Sequence, residues 1–330
     1  MKRWCDSIKV SASFVKLLSA VAFAVFCLLS CSNYGFFWGL FDEDDVDSRS
    51  STVRALSDIS SDYLPNVQSQ TIASSSTYSV LLVTDLHFGT SREDLDENAF
   101  LEWFENLYKT SDATKIPRFI VNLGDTADGG HRSEFKDYLA FENRLKAIAG
   151  RYLYGETDDT PDDKRKFRVY SVLGNHDLYN NGCNEYPEFC FPYISSYHFD
   201  VTVDASTNGF SFYFLDTANG TMGTKQLEDF NKKLAADPKP KIVCTHYPVY
   251  AGGQSLFMIL QNTLERNTIL TYFAENNVKQ VYEGHVHRTY GFDYKIFRED
   301  VIGSLRYNKT CALFTVNEQA GTVSTEVIEF

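Results

Sequence analysis

The chain has 330 residues, 43% of them hydrophobic and 15% aromatic, which is enough to fill the core of one large domain and argues against global disorder. Its formal net charge of -13 argues against duplex nucleic acid or an anionic membrane face as a partner, because both require clustered positive charge. An acidic chain acting on an anionic substrate must gather cations locally, and metal ions are one source.

Residues 1–30 read as an export signal. Lys2, Arg3, Lys9 and Lys16 stand against Asp6, and an apolar run from Val21 to Leu29 follows. The apolar stretch from Leu17 to Leu29 is shorter than the roughly 20 residues a spanning helix needs. Leu28-Leu29-Ser30-Cys31 resembles a bacterial lipobox, with Leu29 where a small residue is more usual. Cys31 is then the expected lipid-carrying first residue of the mature protein, with plain cleavage or an uncleaved signal as the alternatives. Residues 31–77 hold the aromatic patch Phe36-Phe37-Trp38 and an acidic, serine-rich stretch from Asp42 to Ser76. Lacking periodicity, this segment reads as a tether, and its patch suits either a membrane interface or the domain surface.

From Tyr78 short apolar runs alternate with amphipathic stretches, the rhythm of an α/β domain over 78–330. Strands are predicted at Ser79 to Thr84, Arg118 to Leu123, Arg168 to Leu173, Phe210 to Leu215, Lys241 to Thr245 and Gln280 to Glu283, and at the closing runs Cys311 to Val316 and Thr322 to Ile328. Helical spacing occurs at Leu95, Ala99, Trp103 and Leu107, at Phe135, Leu139 and Leu145, and around Leu227, Phe230 and Leu234. Asp85, Asp125, Asn175, His246 and His285 each lie just beyond the C-terminal end of a predicted strand. In open α/β sheets that edge is where ligands bind, so residues far apart in sequence can meet there.

Five short strings carry the chemistry. Asp85-Leu86-His87 offers a carboxylate and an imidazole to one ion. Gly124-Asp125-Thr126-Ala127-Asp128 places an acid after a glycine that lets the chain turn. Gly174-Asn175-His176-Asp177 adds an amide oxygen, an imidazole and an acid. His246 in Cys244-Thr245-His246-Tyr247-Pro248 and the pair in Gly284-His285-Val286-His287 complete the set, so five of the seven histidines fall inside these strings.

In this order the strings resemble the calcineurin-like metallophosphoesterase family, over about Ser79 to Arg288. The resemblance implies a two-sheet β-sandwich flanked by helices, with a metal site at the C-terminal ends of the strands. It implies that Asp85, His87 and His287 hold one divalent ion, that Asn175, His246 and His285 hold a second, and that Asp125 bridges them. The donor mixture suits zinc, manganese or iron. A hydroxide bridging ions about 3.5 to 4 Å apart would attack phosphorus in line. His176 would assist the leaving oxygen while Asp177 orients its ring. Gly129 and Asp177 depart from the protein serine/threonine phosphatase pattern, and Asp128 stands where purple acid phosphatases have a metal-binding tyrosine.

Other residues carry weaker signals. Asp128 is expected to support a ligand imidazole. His131 reads as a solvated loop residue with substrate contact as the alternative, and His198 as structural. In an exported protein Cys183 and Cys190 are expected to form a short disulfide loop, whereas Cys244 and Cys311 read as buried thiols. Tyr179, Tyr186, Phe189, Phe191 and Tyr193, in the same insertion, either form a lip that stacks on substrate or pack to fix the loop.

The expected function is metal-dependent hydrolysis of a phosphomonoester or phosphodiester, on a phosphorylated small molecule, nucleotide or lipid headgroup. The alternatives are a nucleotide or lipid pyrophosphatase on the same centre, or a non-catalytic surface lipoprotein that binds metal or a ligand. Its expected place is the cell envelope, anchored through Cys31. Mass spectrometry of the mature N-terminus should find an acylated Cys31; an unmodified N-terminus at another residue would remove the anchor.

Overall fold

The computed structural model describes Val46, residues 56–67, Gln70 and residues 76–329 apart from 93–94, 111 and 256–257. The expected export signal, Cys31 and the patch at 36–38 lie outside the described residues. Among the described residues no helix is long and apolar enough to cross a membrane.

In chain order the strands are β1 (Ser57–Asp58), β2 (Thr77–Val83), β3 (Pro117–Asn122), β4 (Val169–Ser171), β5 (Tyr197–Val201) and β6 (Phe210–Leu215). They continue as β7 (Lys241–Thr245), β8 (Val278–Glu283), β9 (Tyr290–Asp293), β10 (Arg298–Val301), β11 (Thr310–Asn317) and β12 (Thr322–Glu329). The α-helices are α1 (Glu97–Lys109), α2 (Arg132–Tyr154), α3 (Tyr186–Phe189), α4 (Thr224–Ala236), α5 (Thr263–Glu275) and α6 (Leu305–Asn308).

Two mixed sheets result, a five-stranded one in the order β12-β11-β2-β3-β4 and a seven-stranded one in the order β1-β5-β6-β7-β8-β10-β9. The two-residue period of a strand sorts their side chains. Tyr78, Val80 and Leu82 of β2 and Phe119 and Val121 of β3 share a core with Phe212 and Phe214 of β6 and Ile242 and Cys244 of β7. Their neighbours face outward. Leu81, Val83 and Ile120 meet Phe100 and Phe104 of α1 and Phe135 and Phe141 of α2. On the larger sheet Tyr213, Leu215, Val243 and Val281 meet Phe230 and Leu234 of α4 and Ile269 and Phe273 of α5. Strands buried on both faces read as unbroken apolar runs, which is why β6 and β7 coincide with their predicted spans.

Helix ends are specified locally. The Asp96 carboxylate accepts from the Asn98 and Ala99 amides at the start of α1, and Glu134 in the first turn of α2 accepts from the His131 amide. Neither α5 nor the β9–β10 pair is anticipated by the sequence. The apolar residues of α5 spread around its axis, with Leu264 77% exposed although Ile269 and Phe273 are buried.

Two expectations change. Residues 56–67, assigned by composition to the tether, join the domain: β1 pairs in parallel with β5, Leu56 and Val67 are buried, and Tyr63 packs edge-on against Phe191. A few apolar anchors suffice to dock a segment whose average composition is polar. Nor are Cys183 and Cys190 joined by a disulfide. Cys190 turns into the core beneath α2, where burial pushes its thiol well above the ordinary value, while Cys183 lies in a half-buried turn.

Phe119 meets Tyr170, Phe199 and Phe212 edge-on between the sheets. Phe119→Ala should lower unfolding free energy by about 3–5 kcal/mol, the range for a buried phenyl ring lost from a close-packed core. Urea denaturation measures it.

Candidate metal centre

The parallel strands β2, β3 and β4 of one sheet and β7 and β8 of the other deliver their C-terminal ends to one place. Asp85, Asp125, Asn175, His246 and His285 follow those ends within a few residues, so one edge collects donors that the sequence scatters over 200 positions.

Close approach of the loops depends on two glycines. Gly124 has φ +101°, and a Cβ there would lie 2.7 Å from His246 Nδ1. A Cβ on Gly174 would strike the backbone and carboxylate of Asp125. Five of the candidate ligands themselves occupy the left-handed region: Asp85, His87, Asp125, His285 and His287 have φ between 44° and 69°. Such a conformation costs roughly 1 kcal/mol or more per residue, though Asp and His adopt it more readily than most.

Among the described residues three groups of ligand atoms form: Asp85, His87, Asp125 and His287 in one, Asp125, His246 and His285 in a second that shares Asp125 with it, and His87, Asp128 and His176 in a third. In the first, His287 Nε2 lies 3.2 Å from Asp85 Oδ1, and His87 Nε2 lies 3.1 Å from His287 Nε2 and 3.8 Å from Asp125 Oδ2. In the second, His246 Nε2 is 3.3 Å from Asp125 Oδ2 and 3.1 Å from Asn175 Oδ1, which brings the amide oxygen to the same point.

Hydrogen bonds set the tautomers. His246 Nδ1 lies 2.8 Å from the Leu123 carbonyl, and since a carbonyl only accepts, Nδ1 carries the proton and Nε2 is the donor atom for an ion. His87 Nδ1 meets Asp128 Oδ1 at 3.1 Å, which leaves its Nε2 turned into the site. The acids are braced in turn: Asp85 Oδ2 accepts from Thr84 Oγ1 at 2.7 Å and from the His285 amide at 3.1 Å, and Asp125 Oδ1 from the His176 amide at 2.8 Å.

Three observations fit this donor set to a divalent ion. Asp85 Oδ1 and His285 Nε2 are buried and make no hydrogen bond, Asp85 Oδ1 having only its ion-pair contacts with the His287 and His87 rings. Burial and the charge of His246 push His285 down to about 3, so it stays neutral as a ligand must. Burial also disfavours the charged form of His246, but the Asp125 carboxylate outweighs it and raises His246 to about 9. An ion held by His246 Nε2 would displace the proton held there.

His176 stands outside the two groups that share Asp125 and meets the first only through His87 and Asp128. Its ring packs edge-on against His87 at 4.5 Å and beside Tyr179 at 4.7 Å. Its Nδ1 donates to the Asp128 carbonyl at 2.6 Å, so Nε2 is the nitrogen open to proton exchange. Asp177 does not orient this ring, contrary to expectation. Fully buried, its carboxylate needs donors and finds the Ala127 amide at 2.8 Å and the Gly174 amide at 3.0 Å; burial and Asp125 raise it to about 7. Asp177 joins the second string to the third and positions residues on both.

Of the insertion aromatics only Tyr179 reaches the site; Tyr186, Phe189 and Phe191 are buried, Phe189 stacking on Phe135. His131 is exposed beside Asn180, and His198 pairs with Asp58 at 3.0 Å, far from the donor groups in the fold. No local pattern announces the α6 segment. Ser304 Oγ donates to the Asp85 carbonyl at 2.8 Å, the Leu305 amide to Thr84 and Arg306 Nε to Leu86 at 2.7 Å, while the Tyr307 ring lies against both His87 and His287. These partners are some 220 positions apart, beyond any local pattern. Tyr247, stacked on His285 at 3.8 Å, was likewise not singled out.

Asp128→Ala should weaken metal binding about 10–100-fold, the usual effect of removing the partner of a ligand imidazole. Titration with manganese or zinc checks this; unchanged affinity would mean that Asp128 does not hold His87.

No curated protein matches the sequence. Among solved structures, a dimetal phosphatase from Danio rerio is similar in fold, with a TM-score of 0.51 and 13% identity over 75% of this chain and 98% of that one. GAP50, the anchor in the inner membrane complex of Plasmodium, has a TM-score of 0.53 and 16% identity over 77% of this chain and 84% of its own. The family model for calcineurin-like phosphoesterases matches residues 78–289, which contain all seven candidate ligands and His176. The chain therefore belongs to the calcineurin-like phosphoesterase family.

Proposed function

We propose that the protein hydrolyses phosphomonoesters or phosphodiesters at a two-metal site. The observation that carries this reading is the position of Asp125, whose carboxylate belongs to two of the ligand groups. Asp85, His87 and His287 hold one ion in this reading, and Asn175, His246 and His285 the other. Zinc, manganese or iron bound there supplies Lewis acidity to a phosphoryl oxygen and lowers the pKa of water towards about 7.

The chain's own contribution is alignment and proton transfer. Asp177 ties Gly174 to Ala127 and so fixes the loops that carry Asn175, His176 and Asp125. His176, with Nδ1 committed to the Asp128 carbonyl, presents Nε2 to the leaving oxygen and protonates it as the ester bond breaks. As part of the same reading, the protein is exported and anchored to a membrane through Cys31, a residue outside those described.

Comparison of His176→Ala with Asp125→Ala tests the assignment. Loss of the imidazole should leave metal content intact and slow an alkyl phosphate by about 10² to 10⁴-fold, with a smaller effect on a nitrophenyl ester whose leaving group needs little protonation. Loss of Asp125 should lower metal content and slow both substrates. Near-normal turnover of the alkyl ester by His176→Ala, with metals bound, would take His176 out of the mechanism.

A further inference from the structure

We propose that Arg92 and Tyr307 form a subsite for a second phosphoryl group of the substrate, so that the enzyme favours phosphoesters carrying one, such as diphosphates, over simple monoesters. The proposal rests on the phosphoester reading of the metal centre and names the substrate class of that same site.

Arg92 lies in the loop between β2 and α1 that begins with the ligands Asp85 and His87, and Tyr307 belongs to α6. The Arg92 guanidinium lies over the Tyr307 ring, 5.1 Å from its centroid. That ring is in turn 5.1 Å from the rings of both His87 and His287. The stack is held from both sides: Tyr307 Oη donates to Thr90 Oγ1 at 3.2 Å, and the Tyr307 amide donates at 3.0 Å to Ser304 Oγ, itself bonded to the Asp85 carbonyl. A cation is thus fixed one aromatic ring away from two candidate ligands.

Stacking uses the flat face of a guanidinium and leaves its N–H donors, which lie in the plane, pointing outward. Those donors match the oxygens of a phosphate bidentately. The exposed arginines Arg132, Arg144, Arg151 and Arg298 each pair with a carboxylate, whereas Arg92, like the exposed Arg288, has no carboxylate partner among the described residues, and Arg92 is the one stacked on Tyr307. The charge is therefore available to a ligand. It also offsets the Asp128 carboxylate, which like Arg92 acts on Tyr307, in a chain of net charge -13. A monoester held by its single phosphoryl group at the ligand cluster has nothing to place over Tyr307. A diphosphate has a second phosphoryl group to offer the Arg92 guanidinium.

Calorimetric titration of the manganese-loaded full chain in detergent, with methylphosphonate and with methylenediphosphonate, tests this without turnover, since their C–P bonds resist hydrolysis. The wild type should bind the diphosphonate at least about tenfold more tightly than the monophosphonate. Arg92→Met should remove most of that preference, and Arg92→Lys, which keeps the charge but not the planar fork, should retain part of it. Arg92→Gln, with metal content matched to wild type, repeats the test with a polar side chain. A preference absent from the wild type, or undiminished in both neutral variants, overturns the proposal. Equal weakening of both ligands does so too, because it would mark a general electrostatic effect. If no phosphoester is hydrolysed yet the preference moves with Arg92, the subsite stands and the catalytic reading falls; turnover with an unmoved preference has the opposite meaning.

Discussion

The hydrogen bond from His246 Nδ1 to the Leu123 carbonyl crosses from the seven-stranded sheet to the five-stranded one at the edge where both present their strand ends. It selects the tautomer of a candidate ligand, satisfies a buried carbonyl just beyond β3 and sets the spacing between the donors that follow β7 and those that follow β3. The bond can form only because Gly124, the next residue, has no side chain to collide with His246. The alternation of aromatic side chains between the sheets has the same consequence at larger scale, since it holds the two edges level.

The candidate ligands carry strained backbone that would be costly in isolation. Residues in left-handed conformations cluster at Asp85, His87, Asp125, His285 and His287, and together they absorb several kcal/mol at about 1 kcal/mol each. The surrounding structure offsets this with hydrogen bonds that reach from distant parts of the chain: Thr84, His285 and Ser304 around Asp85, His176 against Asp125 and Asp128 behind His87. Strain held by so many independent contacts leaves the donors little freedom to collapse on one another. That accounts for two buried polar atoms, Asp85 Oδ1 and His285 Nε2, which remain without a hydrogen bond.

Much of this was legible in the sequence because the strands are buried on both faces and the ligands sit at their ends. The runs from Phe210 to Leu215 and from Lys241 to Thr245 needed only their apolar continuity, and the histidine strings their composition. What stayed hidden depends on distance or on the demands of burial. Ser304 and Tyr307 act on residues more than 200 positions earlier, and a short loop containing Ser, Arg and Tyr has no local pattern that says so. Asp177 lies next to His176 in sequence but is fully enclosed, so backbone amides rather than the neighbouring imidazole claim its carboxylate. Residues 56–67 were obscured by an averaged composition that conceals a few well-placed anchors.

The order of strands in the smaller sheet sets a timetable for the molecule. β2, which leads directly to Asp85, lies between β3 and β11, and β11 follows it by more than 200 residues. The α6 segment that grips the Thr84 and Asp85 carbonyls immediately precedes β11. The first ligand loop therefore takes its final shape only once α6 and β11 have been made, more than 200 residues after it, and a chain that stops short of them has no assembled loop around Asp85.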